Sequence, residues 1–137
     1  MTLYKNQEET FKEFTFRLIE KAKDENHKKI SIESLYRHSY GSFLKRELGS
    51  KCANIYIEAP FEIRANREFE RLRKVNIKNN QLDLEQIIYR VKEKDEFKIK
   101  HGADKCKMIA DYIIDNDGNM DYENFLLEIN TIVSKVK

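Results

Sequence analysis

The sequence predicts an α/β fold of three layers, with a small, mostly parallel three-stranded sheet flanked by helices. Three short apolar runs near 30–35, 53–58 and 111–115 have strand character. The segments between them repeat at helical spacing. The only proline, Pro60, and the four glycines, Gly41, Gly49, Gly102 and Gly118, all fall at junctions, which implies short connections and long helices. Strands separated by helices cannot close as hairpins; they need crossovers, so the sheet should be parallel.

Residues from about Asn6 to Asp24 read as a helix, because Phe11, Phe14, Leu18 and Ala22 recur on one face. In the first strand Ile30, Ile32 and Leu35 alternate with Ser31 and Ser34. A helix then fits Ser42 to Leu48, with Gly49 as its C-terminal cap. Ala53 to Ile57 is the second strand. Pro60 opens the next helix, where its missing N–H costs nothing, and that helix runs to about Lys74. Asn76 to Asn80 has turn composition. A long helix follows, carrying Leu84, Ile87, Ile88 and Val91 on one face, then a short helix around Lys105 to Ala110. Tyr112 to Ile114 is the third strand, and Gly118 marks a turn. In the last helix Tyr122, Phe125, Leu126, Ile129, Ile132, Val133 and Val136 keep a 3.6-residue rhythm.

A chain of 137 residues is one domain's worth, long enough for one core. Hydrophobic residues are 40% and charged residues 36%, a lean core under a dense charged surface, which leaves room for exposed patches or a partner. The net charge of +2 argues against a general nucleic-acid binder. Cys52 and Cys106 lack metal-ligand spacing and read as two reduced, at least partly buried thiols. No apolar run reaches membrane-spanning length and no leader is evident, so the expectation is a cytoplasmic protein with no membrane partner.

In a parallel sheet, chemistry gathers at the carboxyl ends of the strands. Those ends are Glu33 to His38, Glu58 to Pro60 and Asp115 to Gly118. Arg64, Arg67, Arg71 and Lys74 share one face of the helix that follows the second strand. Arginine forks suit phosphate oxygens. The same spacing also suits a solvated face paired with Glu68 and Glu70. Arg37 and His38 follow the first strand, where an arginine can hold a phosphate and a histidine can move a proton. His38 equally suits an ordinary loop histidine, and His27 and His101 read as surface residues.

Asp115 to Asp121 has the look of a calcium loop, with Asp115, Asp117 and Gly118 at the third, fifth and sixth positions. Ile113 and Asn124 then fall on positions that demand carboxylates, so the segment is a turn at the end of a strand, and no metal site is assigned.

Ala110 to Gly118, and Ile55 to Pro60 followed by Arg64, Arg67 and Arg71, resemble in this order the P-loop nucleoside and nucleotide kinase superfamily. The resemblance is greatest to its dephospho-CoA kinase and deoxynucleoside monophosphate kinase-like branches. It runs from about Lys29 to Val133 and covers only the family's C-terminal part. It implies Asn116, Asp117 and Gly118 beside a nucleotide base, Arg71 and Arg67 as catalytic arginines, and Arg37, His38 and Arg64 on substrate phosphate. Residues 75–82 would be a short lid. ATP and magnesium are the implied cofactors. Yet no G-x-x-x-x-G-K-[ST] loop occurs, so the cradle for phosphates is missing and neither cofactor is expected to bind the isolated chain tightly. Either the sheet closes up around the missing strand, or another chain fills it, or the chain derives from a larger protein.

Two main functions follow as expectations. One is a kinase-derived chain, inactive alone, with a nucleotide or another phosphate-bearing small molecule as ligand. The other is a non-catalytic phosphate-binding or protein-interaction module. A degenerate calcium protein ranks last.

Overall fold

The computed structural model describes residues 6–33, Leu35, 37–75 and 83–137. Of the segment 75–82, read above as a lid, Val75 is helical and 76–82 lie outside them. Helix α1 (Gln7–Asp24) starts at Asn6, whose side chain accepts from the Glu8 N–H, and carries Glu8 and Glu9 in its first turn and Lys21 and Lys23 in its last. That distribution complements the helix dipole. Asn26 leaves the helix at φ 58°, a left-handed conformation that asparagine tolerates.

Helix α2 (His38–Leu48) begins four residues before the expected Ser42. The extra turn puts Tyr40 on the face of Phe43 and Leu44, and these three form a buried cluster with Phe11, Leu35, Leu48 and Cys52 packed against it. The Phe11 ring lies 4.8 Å from Tyr40 and 5.7 Å from Phe43. The Tyr40 and Thr15 hydroxyls are 2.9 Å apart. Gly41 sits at a close approach: a Cβ there would stand 2.5 Å from Ile109 Cδ1, so the Ile109 side chain would have to shift to admit one. Gly49, at φ 55°, ends the helix and opens a 3-10 turn over Gly49–Lys51.

Strand β1 (Ile55–Glu58) precedes helix α3 (Phe61–Val75), and helix α4 (Leu84–Lys100) starts at Asp83, whose side chain accepts from the Glu85 N–H. A 3-10 turn over Ala103–Ile109 leads to strand β2 (Tyr112–Asp115). Helix α5 (Tyr122–Lys135) is capped by Asp121. Helix α3 packs on α4, and the 3-10 turn before β2 touches both α2 and α4.

The two strands pair in parallel, with Ile55 opposite Tyr112, Tyr56 opposite Ile113, Ile57 opposite Ile114 and Glu58 opposite Asp115. The fold is therefore α/β, with a parallel sheet flanked by helices, and among the described residues the sheet has two strands. The strand expected near 30–35 is corrected: residues 30–33 and Leu35 have no regular structure. Ile30 and Ile32 remain exposed, and Leu35 packs into the aromatic cluster of α2. Ile114 and Ile87 are the largest fully buried side chains.

Candidate functional site

The amino end of the sheet is organised around Asn54, which is buried. Its amide nitrogen donates to the carbonyls of Gly41 (3.2 Å) and Ile109 (3.4 Å). Its backbone N–H donates to the Asp111 carboxylate at 2.8 Å, and the N–H groups of Asp111 and Tyr112 return to its carbonyl. Lys45 closes the group, 2.6 Å from Asp111 and 3.2 Å from the Cys52 carbonyl. One asparagine thus joins α2, the start of β1 and the start of β2. Sequence reasoning missed this hub. Its one visible signal is a polar residue placed directly before an apolar strand.

The carboxyl end holds most of the expected functional residues. Arg64 makes a two-pronged pair with Asp95, both N–O distances being 2.8 Å, and donates its Nε to the Ala59 carbonyl at 3.1 Å. The bond to Asp95 raises the Arg64 pKa above its ordinary value. The pair joins residues 31 apart in sequence and fixes α3 against α4.

Arg67 grips Asn116 through both its carbonyl (3.2 Å) and its side-chain oxygen (3.1 Å). This brings together two residues that the sequence assigned to different parts of a site. Gly118, at φ 94°, makes the turn possible; a Cβ there would meet only ordinary contacts with Ile63 and Arg67. The Asp117 carboxylate accepts from the backbone N–H and the side-chain amide of Asn119, at 2.9 and 2.8 Å, and these bonds hold its pKa below the ordinary value. Asp115, Asp117 and Asp121 therefore build a strand end, a turn and a helix cap.

Arg71 turns back onto Glu68 with two bonds of 2.8 Å, lowering the Glu68 pKa, and Lys94 approaches the same carboxylate at 3.7 Å. Lys107 meets Glu58, at the end of β1, at 2.6 Å. The α3 stripe thus shares a face, but its three arginines serve three different acceptors: Asp95, Asn116 and Glu68.

Arg37 and His38 are placed elsewhere. Arg37 is the N-cap residue of α2, without a side-chain cap, and α2 is tied through Gly41 to the amino end of β1. His38 Nδ1 is buried and has no hydrogen-bond partner among the described residues. Both thiols are free; burial pushes up the pKa of Cys52 and of Cys106, whose thiol donates to the Leu35 carbonyl.

Among the described residues, no group of three or more histidine, cysteine or acidic side chains can hold a metal ion. No helix among them is long and apolar enough to cross a membrane. A phosphate taking the Arg67 fork would have to displace Asn116, and one taking Arg64 would have to displace Asp95. No known protein family matches the chain, and no curated protein or solved structure matches it.

Proposed function

We propose that this chain is a non-catalytic protein-interaction module. One observation carries the reading: the α3 arginines that would hold a phosphate, Arg64, Arg67 and Arg71, are already paired with acceptors of the chain itself, while apolar surface is left unpaired. Chains of 16.4 kDa that fold as compact monomers expose about 7,500 Å². This chain exposes 11117 Å². The excess is larger than the roughly 2,500 Å² that fourteen fully extended residues would add by the unfolded-chain scaling, so the area of the residues outside the described set does not by itself account for it. Phe16, Tyr89, Phe97, Met108, Tyr122 and Leu127 are each more than half exposed. Exposed apolar side chains that gather into one patch mark a surface that meets another macromolecule, and Ile113 and Leu127 do so along the hollow between β2 and α5.

A second reading, a kinase-derived chain that keeps weak affinity for phosphate-bearing ligands, is favoured by the Arg67–Asn116 contact. It joins the two segments on which the nucleotide-kinase resemblance rests. Both readings predict no turnover by the isolated chain, so ligand binding separates them: the chain is titrated by calorimetry with ATP and magnesium, and with dephospho-CoA. The interaction module binds neither. Saturable binding that disappears in an Arg67→Ala variant overturns it in favour of the kinase lineage.

A further inference from the structure

We propose that the partner is a second copy of this chain, docked through helix α5 about a two-fold axis. The inference rests on the interaction-module reading and names its occupant.

A hollow opens between β2 and α5. Ile113, Leu127 and Ile132 supply its apolar part, and Glu128, Thr131 and Lys135 supply polar groups along the helix. Leu127 is 65% exposed and Ile113 49%, so the apolar part is not closed by the chain's own fold. Leu127, Thr131 and Lys135 follow one another at intervals of four, and Glu128 lies three residues before Thr131 and seven before Lys135, which puts the four on one face of α5. The face is therefore a continuous ridge beside a recess.

The charges on this face suit a copy of itself. Glu128 and Lys135 are two turns apart, about 10 Å along the axis, too far for an ion pair within the helix. Glu128 has no ion pair or hydrogen bond among the described residues, and Lys135 only lies over the Tyr112 ring at 5.6 Å. In a two-fold pairing the helices run antiparallel, and residue i of one meets residue j of the other while j meets i. Centring the crossing beside Thr131 sets Glu128 of each copy against Lys135 of the other, twice. Thr131, with its short side chain, then lies at the crossing, where helices need to approach closely. Leu127 of each copy is carried towards the Tyr112–Lys135 wall of the other's hollow. A foreign partner would need no such internal symmetry of charge. A dimer also gives the excess area a use: stable interfaces bury about 1,200–2,000 Å² in total, and obligate ones more.

The test is sedimentation equilibrium on the full chain from about 1 μM to about 300 μM, the range in which moderate self-association is measurable. The wild type should show reversible association to twice the chain mass. Glu128→Lys places two lysines against two lysines, and Lys135→Glu places two glutamates against two glutamates. Each variant alone should raise the dimer dissociation constant about tenfold or more. Mixed in equal amounts they should recover a heterodimer with affinity within about threefold of the wild type, since both contacts again join opposite charges. Leu127→Asp should remain folded by circular dichroism, because the side chain is exposed, and should stay monomeric.

A wild type that keeps the single-chain mass throughout overturns the proposal. So does a dimer indifferent to these substitutions, or a mixture that fails to re-associate. Titrating the same samples with magnesium and ATP by calorimetry keeps the two readings apart. A monomer that binds no nucleotide removes only the self-association, whereas saturable nucleotide binding removes the interaction-module reading beneath it.

Discussion

Among the described residues one polar side chain, Asn54 at the amino end of β1, is closed inside the molecule, while the polar groups at the carboxyl ends of the strands stand at least partly in water. Asn54 is buried and bonded to two helical segments at once. Arg67 and Asn116 make a contact of similar length with water on hand. The difference teaches which bonds matter. A buried group left without a partner loses its full hydration, whereas an exposed one recovers it. By this logic Asn54 does more to hold the fold together than any single contact at the carboxyl end, where the arginines are committed to their acceptors but each adds little to stability.

The sharpest way to break the comparison is Asn54→Ala. It strips the Gly41 and Ile109 carbonyls of their shared donor and opens a small void. Urea denaturation should show a loss of about 2–3 kcal/mol, the usual range for an unsatisfied buried polar group. A loss below ~0.5 kcal/mol, the scale of ordinary surface substitutions, would mean that the hub is not structural.

Asp111→Ala should cost less, about 1–2 kcal/mol, because water can reach the vacated site and replace part of what is lost. In a double-mutant cycle Asp111 and Lys45 should be coupled. At the carboxyl end, Arg64→Ala should cost only about 0.5–1 kcal/mol, since its pair with Asp95 is part-exposed and screened. Arg71→Ala should leave the denaturation midpoint unchanged, because the Arg71–Glu68 pair joins neighbouring turns of one exposed helix face.

The smallest effect is a pH dependence. Asp117 and Glu68 have depressed folded-state values, so their unfolded forms bind protons more readily. Their contribution is complete above the ordinary carboxylate range of about 4 and is lost as pH falls through the lower folded values. A midpoint that rises as pH drops from neutral towards 3 would contradict the assignment, and Asp117→Asn should flatten part of the fall.

Much of the fold was legible because it is written in periodicity. The spacing of Phe11, Phe14 and Leu18, of Ile87 and Val91, and of the apolar residues after Tyr122 gave α1, α4 and α5 close to their observed bounds. The strands at 53–58 and 111–115 were readable from their β-branched and aromatic content between junctions. The segment 30–35 was not, because alternation of two isoleucines with serines is also compatible with an irregular stretch. What decides is whether a neighbouring strand can receive it, a tertiary matter. The start of α2 was obscured by Gly41, which weakens a helix locally; its backbone lies where a Cβ would press on the Ile109 side chain, a tertiary contact that spacing does not show.

The site was legible in part. Helical spacing put Arg64, Arg67 and Arg71 on one face and located the turn at Asn116, Asp117 and Gly118. Spacing cannot reveal what an arginine meets 31 or 49 residues away, and so it could not show that Asp95 and Asn116 occupy those forks. Asn54 was passed over because a lone polar residue in an apolar run carries no charge pattern. Its importance comes wholly from burial.

The most direct test of the account is to watch the Arg67 fork while phosphate is offered to it. The chain is labelled with ¹⁵N and titrated with pyrophosphate, then with ATP and magnesium. The Arg67 side-chain resonance and the Asn116 amide are followed by NMR. If the carboxyl-end arginines are structural, both signals should stay in place up to millimolar ligand. Saturable shifts of both, weakened by salt and abolished by Arg67→Ala, would show that phosphate displaces Asn116 and would contradict the account.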